Sequence, residues 1–199
     1  PNHIQEIQKL SGETEAEIHK IMIMGGSRIA IRISSYAPDN MAIKLIECDK
    51  QKSYKLAEYM NDIIIIQGDG RNVDLLKEEG IRDMDAFIAL TDSSETNILA
   101  CLTAKELGVK KTIAEVENIQ FISTAERLNI GNIINKKLLA ASRIFQLLLD
   151  EDSSNAKCLA LSDAEVVELV AKENSKITKA AVKDLKLPSD LTIGGLVRN

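Results

Sequence analysis

Six short aliphatic runs, each followed by a polar stretch of helix length, dominate the chain between Ile21 and Asn135. The runs are Ile21–Met24, Ala42–Glu47, Ile63–Gln67, Ala86–Thr91, Thr112–Val116 and Asn132–Asn135. They are rich in β-branched residues and show little polar alternation, as strands covered on both faces do. The stretches between them predict helices near 28–37, 50–60, 72–79, 93–107 and 118–127. Helical spacing is clearest in Ile98, Leu99, Leu102 and Leu107, with Gly108 as a stop. Strands alternating with helices imply a parallel sheet, so residues 21–135 are expected to form an α/β, Rossmann-like doubly wound domain.

The flanks follow other patterns. Ile4, Ile7 and Leu10 recur at helical spacing before Ser11-Gly12 and a run of glutamates, so 1–20 reads as a linker helix and connector. Lys136–Asp150 carries Leu138, Leu139, Ile144, Leu147, Leu148 and Leu149, more apolar surface than one side of a sheet requires. Residues 136–155 are therefore expected to be a crossover helix, suited to packing on a second copy, with a hinge in the turn-rich Glu151–Asn155. Beyond it, 157–161 and 165–170 read as strands, Thr178–Leu185 as a helix, Leu187–Asp190 as a turn and Leu191–Arg198 as a strand. Residues 156–199 would then be a partial α+β domain. A chain that opens on Pro1 and stops within an apolar stretch reads as a segment of a longer protein.

Composition narrows the function. The 25 Lys and Arg against 30 Asp and Glu give a net charge of −5, which repels a phosphate polyanion, so no nucleic-acid partner is expected. Aromatics are only 3% of residues, with no Trp, leaving few platforms on which bases or sugars stack. Cys48, Cys101 and Cys158 form no C-x-x-C pair, which argues against a zinc cluster or a disulfide framework and fits a reducing cytosol. No apolar run approaches the roughly 18–20 residues of a membrane helix, so no direct insertion is expected.

The first candidate for chemistry is Met24-Gly25-Gly26-Ser27-Arg28-Ile29-Ala30, between a predicted strand and a predicted helix. It reads G-x-S-x-x-A where a dinucleotide fingerprint reads G-x-G-x-x-G. Gly25 can make the tight turn and Ala30 is small enough for helix–strand packing, but Ser27 carries a side chain where backbone approaches a pyrophosphate. Helix-start amides of Ser27 to Ile29 would face an anion, with Arg28 as an added cation; a Gly-Gly turn is also common in any α/β protein. Glu47, 22 residues after Gly25, stands where a ribose-binding acid belongs, with Asp49 as the cap of the next helix. Gly68 and Asp69 would border an adenine, and Thr91 and Asp92 would line the floor of the cleft. Asp92 or Ser93 as an ordinary helix cap is the competing reading. No catalytic residue and no metal ligand is expected. His3 and His19 lie in the linker, and no nucleophile elbow, P-loop or H-E-x-x-H helix is present. Tyr36, Tyr54 and Tyr59 fall on helices, where packing is their expected role.

IMIMGGSRIA, KLIECD, IIIIQGDGRNVDLLKEEGI, DAFIALTDSSETNILACLTAKELG and KLPSDLTIGGLVR, in that order, resemble the TrkA/RCK (regulator of K⁺ conductance) family of potassium-transport proteins. The resemblance covers essentially the whole chain and is most specific in the GDG and TD-x-x-E-x-N segments. It implies the second half of a tandem protein, ending in a truncated TrkA-C-like domain. It further implies a cytoplasmic regulatory subunit, peripheral at the inner face of the plasma membrane, that binds NAD(H), or ATP/ADP in its place, and gates a membrane potassium-translocating subunit. Partners would include the other half of the longer chain and further copies through RCK-type dimerisation. Carried over by position, Gly25, Gly26, Ser27, Arg28 and Ile29 match the phosphate loop, Glu47 the ribose acid, Gly68 and Asp69 the adenine side, and Thr91 and Asp92 the fourth-strand edge. Two positions depart from the pattern. Ser27 replaces a glycine, and Glu115 stands where many members have an arginine facing the phosphates, so a carboxylate there needs an intervening cation. An NAD-dependent oxidoreductase and a half that serves only in assembly are the alternatives.

Overall fold

A computed structural model describes residues 17–148, 155–158, 165–168, 171–173 and 175–195. The chain divides after Leu139 into two units, each described by itself. The expected linker helix falls on residues 1–16, outside the described residues, apart from Glu17–His19, which have no regular structure.

The first unit carries strands β1 (Lys20–Met24), β2 (Ala42–Glu47), β3 (Ile64–Gln67), β4 (Ala86–Ala89), β5 (Lys111–Glu115) and β6 (Asn132–Ile134). All pair in parallel in the order β3-β2-β1-β4-β5-β6. Between them lie helices α1 (Arg28–Tyr36), α2 (Lys50–Tyr59), α3 (Val73–Glu78), α4 (Ser94–Glu106) and α5 (Ile119–Arg127), and α6 (Lys136–Leu148) follows β6. Strand order reverses between β1 and β4, the doubly wound arrangement expected from the alternation of runs.

Period-2 alternation sends the apolar residues of each strand to both faces of the sheet. Met22, Met24, Ile46, Ile66, Phe87 and Ala89 face one side and pack with Leu76 of α3, Ile98, Cys101 and Ala104 of α4, and Ile122 and Ala125 of α5. Ile21, Ile23, Ile43, Leu45, Ala86 and Ile88 face the other side, with Ala30 of α1 and Leu56 of α2. Both faces are dry, so the strands are largely apolar, and polar residues fall mainly at strand ends, as Lys20, Glu47, Gln67, Lys111, Glu115 and Asn132 do. Burial pushes the Cys101 thiol up to about 12, which leaves it inert.

Several boundaries differ from the sequence expectations. β4 stops at Ala89, because Leu90 and Thr91 turn away to line the cleft edge. Asn135 lies outside β6; its side chain accepts from the Leu138 amide and caps α6. Tyr36, Tyr54 and Tyr59 do not pack: they are 76%, 63% and 82% exposed on the outer helix faces, and the Tyr36 ring instead lies under the Arg32 guanidinium.

In the second unit, β7 (Asn155–Cys158) and β8 (Glu165–Glu168) form an antiparallel pair. The expected strand residues beyond them, 159–161 and 169–170, lie outside the described residues. No helix spans Thr178–Leu185; two 3-10 turns, Lys176–Thr178 and Val182–Asp184, flank extended backbone at Ala181. A segment of that length is too short to hold a helix without tertiary packing, and Ile177 and Val182 are exposed. Residues 191–195 form no strand, and 196–198 lie outside the described residues. Among the described residues no helix is long and apolar enough to cross a membrane.

Candidate functional site

The site grows from the crossing of β1 and β4. Gly25 leaves β1 with φ of +96°, and its amide donates to the Ile46 carbonyl at 2.8 Å. A Cβ on Gly25 would lie 2.9 Å from the Leu90 carbonyl oxygen, so only glycine fits this turn. Ser27 then begins α1: its Oγ accepts from the Ala30 amide at 3.3 Å. The side chain that stood against a phosphate role is thus folded onto the helix start as an N-cap. The first-turn amides at Ser27, Arg28 and Ile29 precede the helix's own i−4 bonds, as an anion site requires.

Glu47 closes the loop from the neighbouring strand. Its Oε2 accepts from the Gly26 amide at 2.9 Å and pairs with Lys52 Nζ at 2.8 Å, while its Oε1 accepts from the Asp49 amide at 3.0 Å and Cys48 Sγ at 3.5 Å. The residue is 4% exposed. Burial alone would raise its pKa, but the Lys52 ammonium and the Asp49 and Gly26 amides outweigh it and hold the carboxyl below its ordinary value. Asp49 caps α2, accepting from the Lys52 amide at 2.8 Å. Across β3, Asp69 is gripped by Arg71 through Nε at 3.0 and 3.1 Å and Nη2 at 2.7 Å, which lowers the pKa of Asp69.

On the β4 side, Asn97 is fully buried and makes four bonds. Its Oδ1 accepts from the Thr91 amide at 3.0 Å and the Thr91 hydroxyl at 2.7 Å, while its Nδ2 donates to the carbonyls of Thr91 at 2.9 Å and Glu115 at 2.8 Å. One amide thereby staples the ends of β4 and β5. Ser93, rather than Asp92, caps α4 by accepting from the Thr96 amide, which leaves Asp92 exposed at the rim. The cation required beside Glu115 comes from the chain itself. Lys136 Nζ lies 2.5 Å from Glu115 Oε1 and 2.8 Å from Glu117 Oε1, and both carboxylates raise the pKa of Lys136.

These elements enclose a cleft of about 360 Å³ at the carboxyl ends of the strands. Of the residues singled out from sequence, Gly25, Ser27, Glu47, Asp69, Thr91 and Asp92 line it. Gly26 and Gly68 sit behind it: a Cβ on Gly26 would meet Leu56, and one on Gly68 would meet Leu75. Arg28 and Ile29 lie on α1 outside the lining. Cys48, Lys52, Arg71 and Thr96 line the cleft and were not singled out. The signal for Lys52 and Arg71 was present as a cation shortly after an acidic strand end, but a lysine on a helix is usually a solvated one. A more open groove of about 600 Å³ lies on the β4–β5 side, lined by Asp92, Glu95, Glu117, Gln120 and Lys137 among others, and lacks a glycine turn. His19 sits at the start of β1, the opposite edge of the sheet, bonded to Glu17. Among the described residues no group of three or more His, Cys, Asp or Glu could hold a metal ion.

A glycine turn at the reversal point of a 3-2-1-4-5-6 parallel sheet defines a Rossmann-like domain. Residues 21–136 match the TrkA-N domain family, and the chain belongs to it. The Trk system potassium uptake protein TrkA of Vibrio alginolyticus is 32% identical over 200 residues, covering 99% of this chain and 44% of that protein. The chain therefore spans less than half the length of this relative. In fold it resembles the TrkA-N domain of the inner membrane protein ybaL from Escherichia coli (TM-score 0.56, 12% identity, 69% of this chain and 100% of that one). It also resembles a GsuK channel chain described as bound to NAD (TM-score 0.52, 16% identity, 75% of this chain and 27% of that one).

Proposed function

We propose that the chain is the nucleotide-sensing part of a cytoplasmic potassium-uptake regulator, and that its glycine-loop cleft takes NAD(H) or an adenine nucleotide as a signal, not as a reactant. The observation that carries this reading is the Gly25 turn, too tight for a Cβ and placed at the strand-order reversal beside the free first-turn amides of α1. Phosphates belong at those amides, with Thr91 and Asp92 on the facing lip. Family membership and a relative named as a potassium uptake protein support the wider role, in which the longer protein gates a membrane potassium-translocating subunit. The neighbour described as bound to NAD supports the ligand class.

Two pairs of titratable groups in the lining are committed to each other, Glu47 to Lys52 and Asp69 to Arg71, which favours binding over turnover. A ligand held as a signal acts through its difference in affinity between two arrangements of the protein. The exposed Leu139, Ile144 and Leu147 along α6 offer an apolar surface through which paired domains would be biased, and the same surface favours a second reading in which this half serves assembly alone. Calorimetric titration of NADH, NAD⁺, ATP and ADP against the purified chain separates the two. Binding of at least one, without NADH consumption, is expected. Absence of binding leaves only assembly, and oxidation of NADH by a reducible substrate overturns the sensing role.

A further inference from the structure

Most polar side chains that line the cleft are already engaged by the chain. Glu47 pairs with Lys52 and Asp69 with Arg71, so the charges on the β2 and β3 side cancel. The Thr91 hydroxyl donates to Asn97 Oδ1 at 2.7 Å. Ser93 Oγ accepts from the Thr96 amide at 3.1 Å and donates to Glu95 Oε2 at 3.1 Å. Two lining side chains differ. The Asp92 carboxylate and the Thr96 hydroxyl have no hydrogen-bond or ion-pair partner among the described residues, and both stand on the lip formed by the end of β4 and the first turn of α4.

Position gives that lip its chemistry. A dinucleotide crosses a reversal point with its pyrophosphate at the first helix start and its adenosine half over β1–β3, so whatever follows the phosphates runs toward β4. There it meets Asp92, a lining carboxylate with no cation beside it. Asp92 also lines the open groove of about 600 Å³ on the β4–β5 side, so cleft and groove meet at this residue. Glu95 and Glu117 continue the acidic lining of the groove, against Lys137. A further phosphate entering there is repelled by like charge, whereas a ribose diol brings two O–H donors that a carboxylate accepts. The Thr96 hydroxyl, able to donate and to accept, adds a second uncommitted group to the same lip.

Resting on the nucleotide reading above, we propose that the cleft selects ligands whose adenosine diphosphate continues into a second ribose over those that end in phosphate, and that Asp92 makes the selection by accepting from the hydroxyls of that second ribose, with Thr96 as its companion. NAD(H) and ADP-ribose share this group, whereas ADP and ATP carry terminal phosphate in its place.

Calorimetry on the purified chain with ADP-ribose, NAD⁺, ADP and ATP tests this, with EDTA present so that no divalent cation masks the phosphates. ADP-ribose and NAD⁺ are expected to bind at least ~10-fold tighter than ADP, as one charge-assisted hydrogen bond provides, and ATP no tighter than ADP. Asp92→Asn should lower the ADP-ribose/ATP affinity ratio about 10-fold, by weakening the diol contact and relieving the repulsion of ATP. Asp92→Glu should keep part of the ratio, and Thr96→Val should lower it several-fold. Asp92 is exposed and unpaired, so its variants are expected to fold, which circular dichroism checks. ADP-ribose no tighter than ADP, even where NAD⁺ binds well, overturns the proposal, as does ATP binding tighter than ADP-ribose. A uniform loss for all four ligands in Asp92→Asn, with the ratio unmoved, is what a merely structural role gives and overturns it too. In each of these cases nucleotide binding stands. Binding of none of the four overturns both readings.

Discussion

Replacing Asn97 by alanine removes a side chain that ties the ends of β4 and β5 together, and the cost follows from its four hydrogen bonds. Each net bond is worth roughly 1 kcal/mol, and a buried group left unpaired costs more. The Thr91 groups are only partly buried and regain water, while the Glu115 carbonyl lies beside a side chain that is 2% exposed and does not. The expected loss is about 3 kcal/mol, which for a unit of this size lowers Tm by about 6–12 °C. Urea and thermal unfolding followed by circular dichroism measure it. Pairing Asn97→Ala with Thr91→Ala in a double-mutant cycle should show coupling of about 1 kcal/mol, because Thr91→Ala removes the hydroxyl that gives one of the four bonds while the two backbone bonds remain. Asn97→Asp should be harmed further as pH rises through the carboxylate range, since a carboxylate cannot donate to the two carbonyls. A loss under about 1 kcal/mol for Asn97→Ala, or zero coupling to Thr91, refutes the staple.

Gly25→Ala forces a side chain into the left-handed region and against the Leu90 carbonyl; about 1–3 kcal/mol of stability should be lost, and affinity for whichever nucleotide binds should fall at least ~10-fold by calorimetry. Glu47 titrates below its ordinary value of 4.5 in the folded chain, so its stabilisation is present above about pH 4.5 and is lost as pH falls through the depressed folded value. Glu47→Gln should therefore be less stable than the wild type near neutrality and converge with it in acid, as read by unfolding midpoints across that range. Parallel curves for the two proteins would contradict the Gly26 and Lys52 contacts.

How much of this was legible beforehand depends on the distance between partners. Glycine at 25 could be read because a strand-to-helix turn needs a local conformation that one residue type supplies. Asp49 as a cap was equally local, its partner being Lys52 three residues on. Glu47 was found by spacing, yet spacing could not show that Gly26 and Lys52 would claim its oxygens, because the first contact spans two strands. Asn97, by its sequence alone, is one polar residue near the start of a helix. Its partner at Glu115 lies 18 residues away on the adjoining strand. Lys136 likewise answers Glu115 only because β5 and β6 lie side by side.

The sequence by itself determined the alternation of strand and helix and the burial of both sheet faces, since six largely aliphatic runs with little polar alternation leave no solvated face. It also placed the glycine turn. Only the tertiary structure decided which strands are neighbours, and with that the meeting of β1 with β4 that opens the cleft. It also decided which charges are spent inside the chain and which face outward. Periodicity is a property of neighbouring residues, whereas ion pairs and cleft walls depend on strand order and register, which bring together residues tens of positions apart.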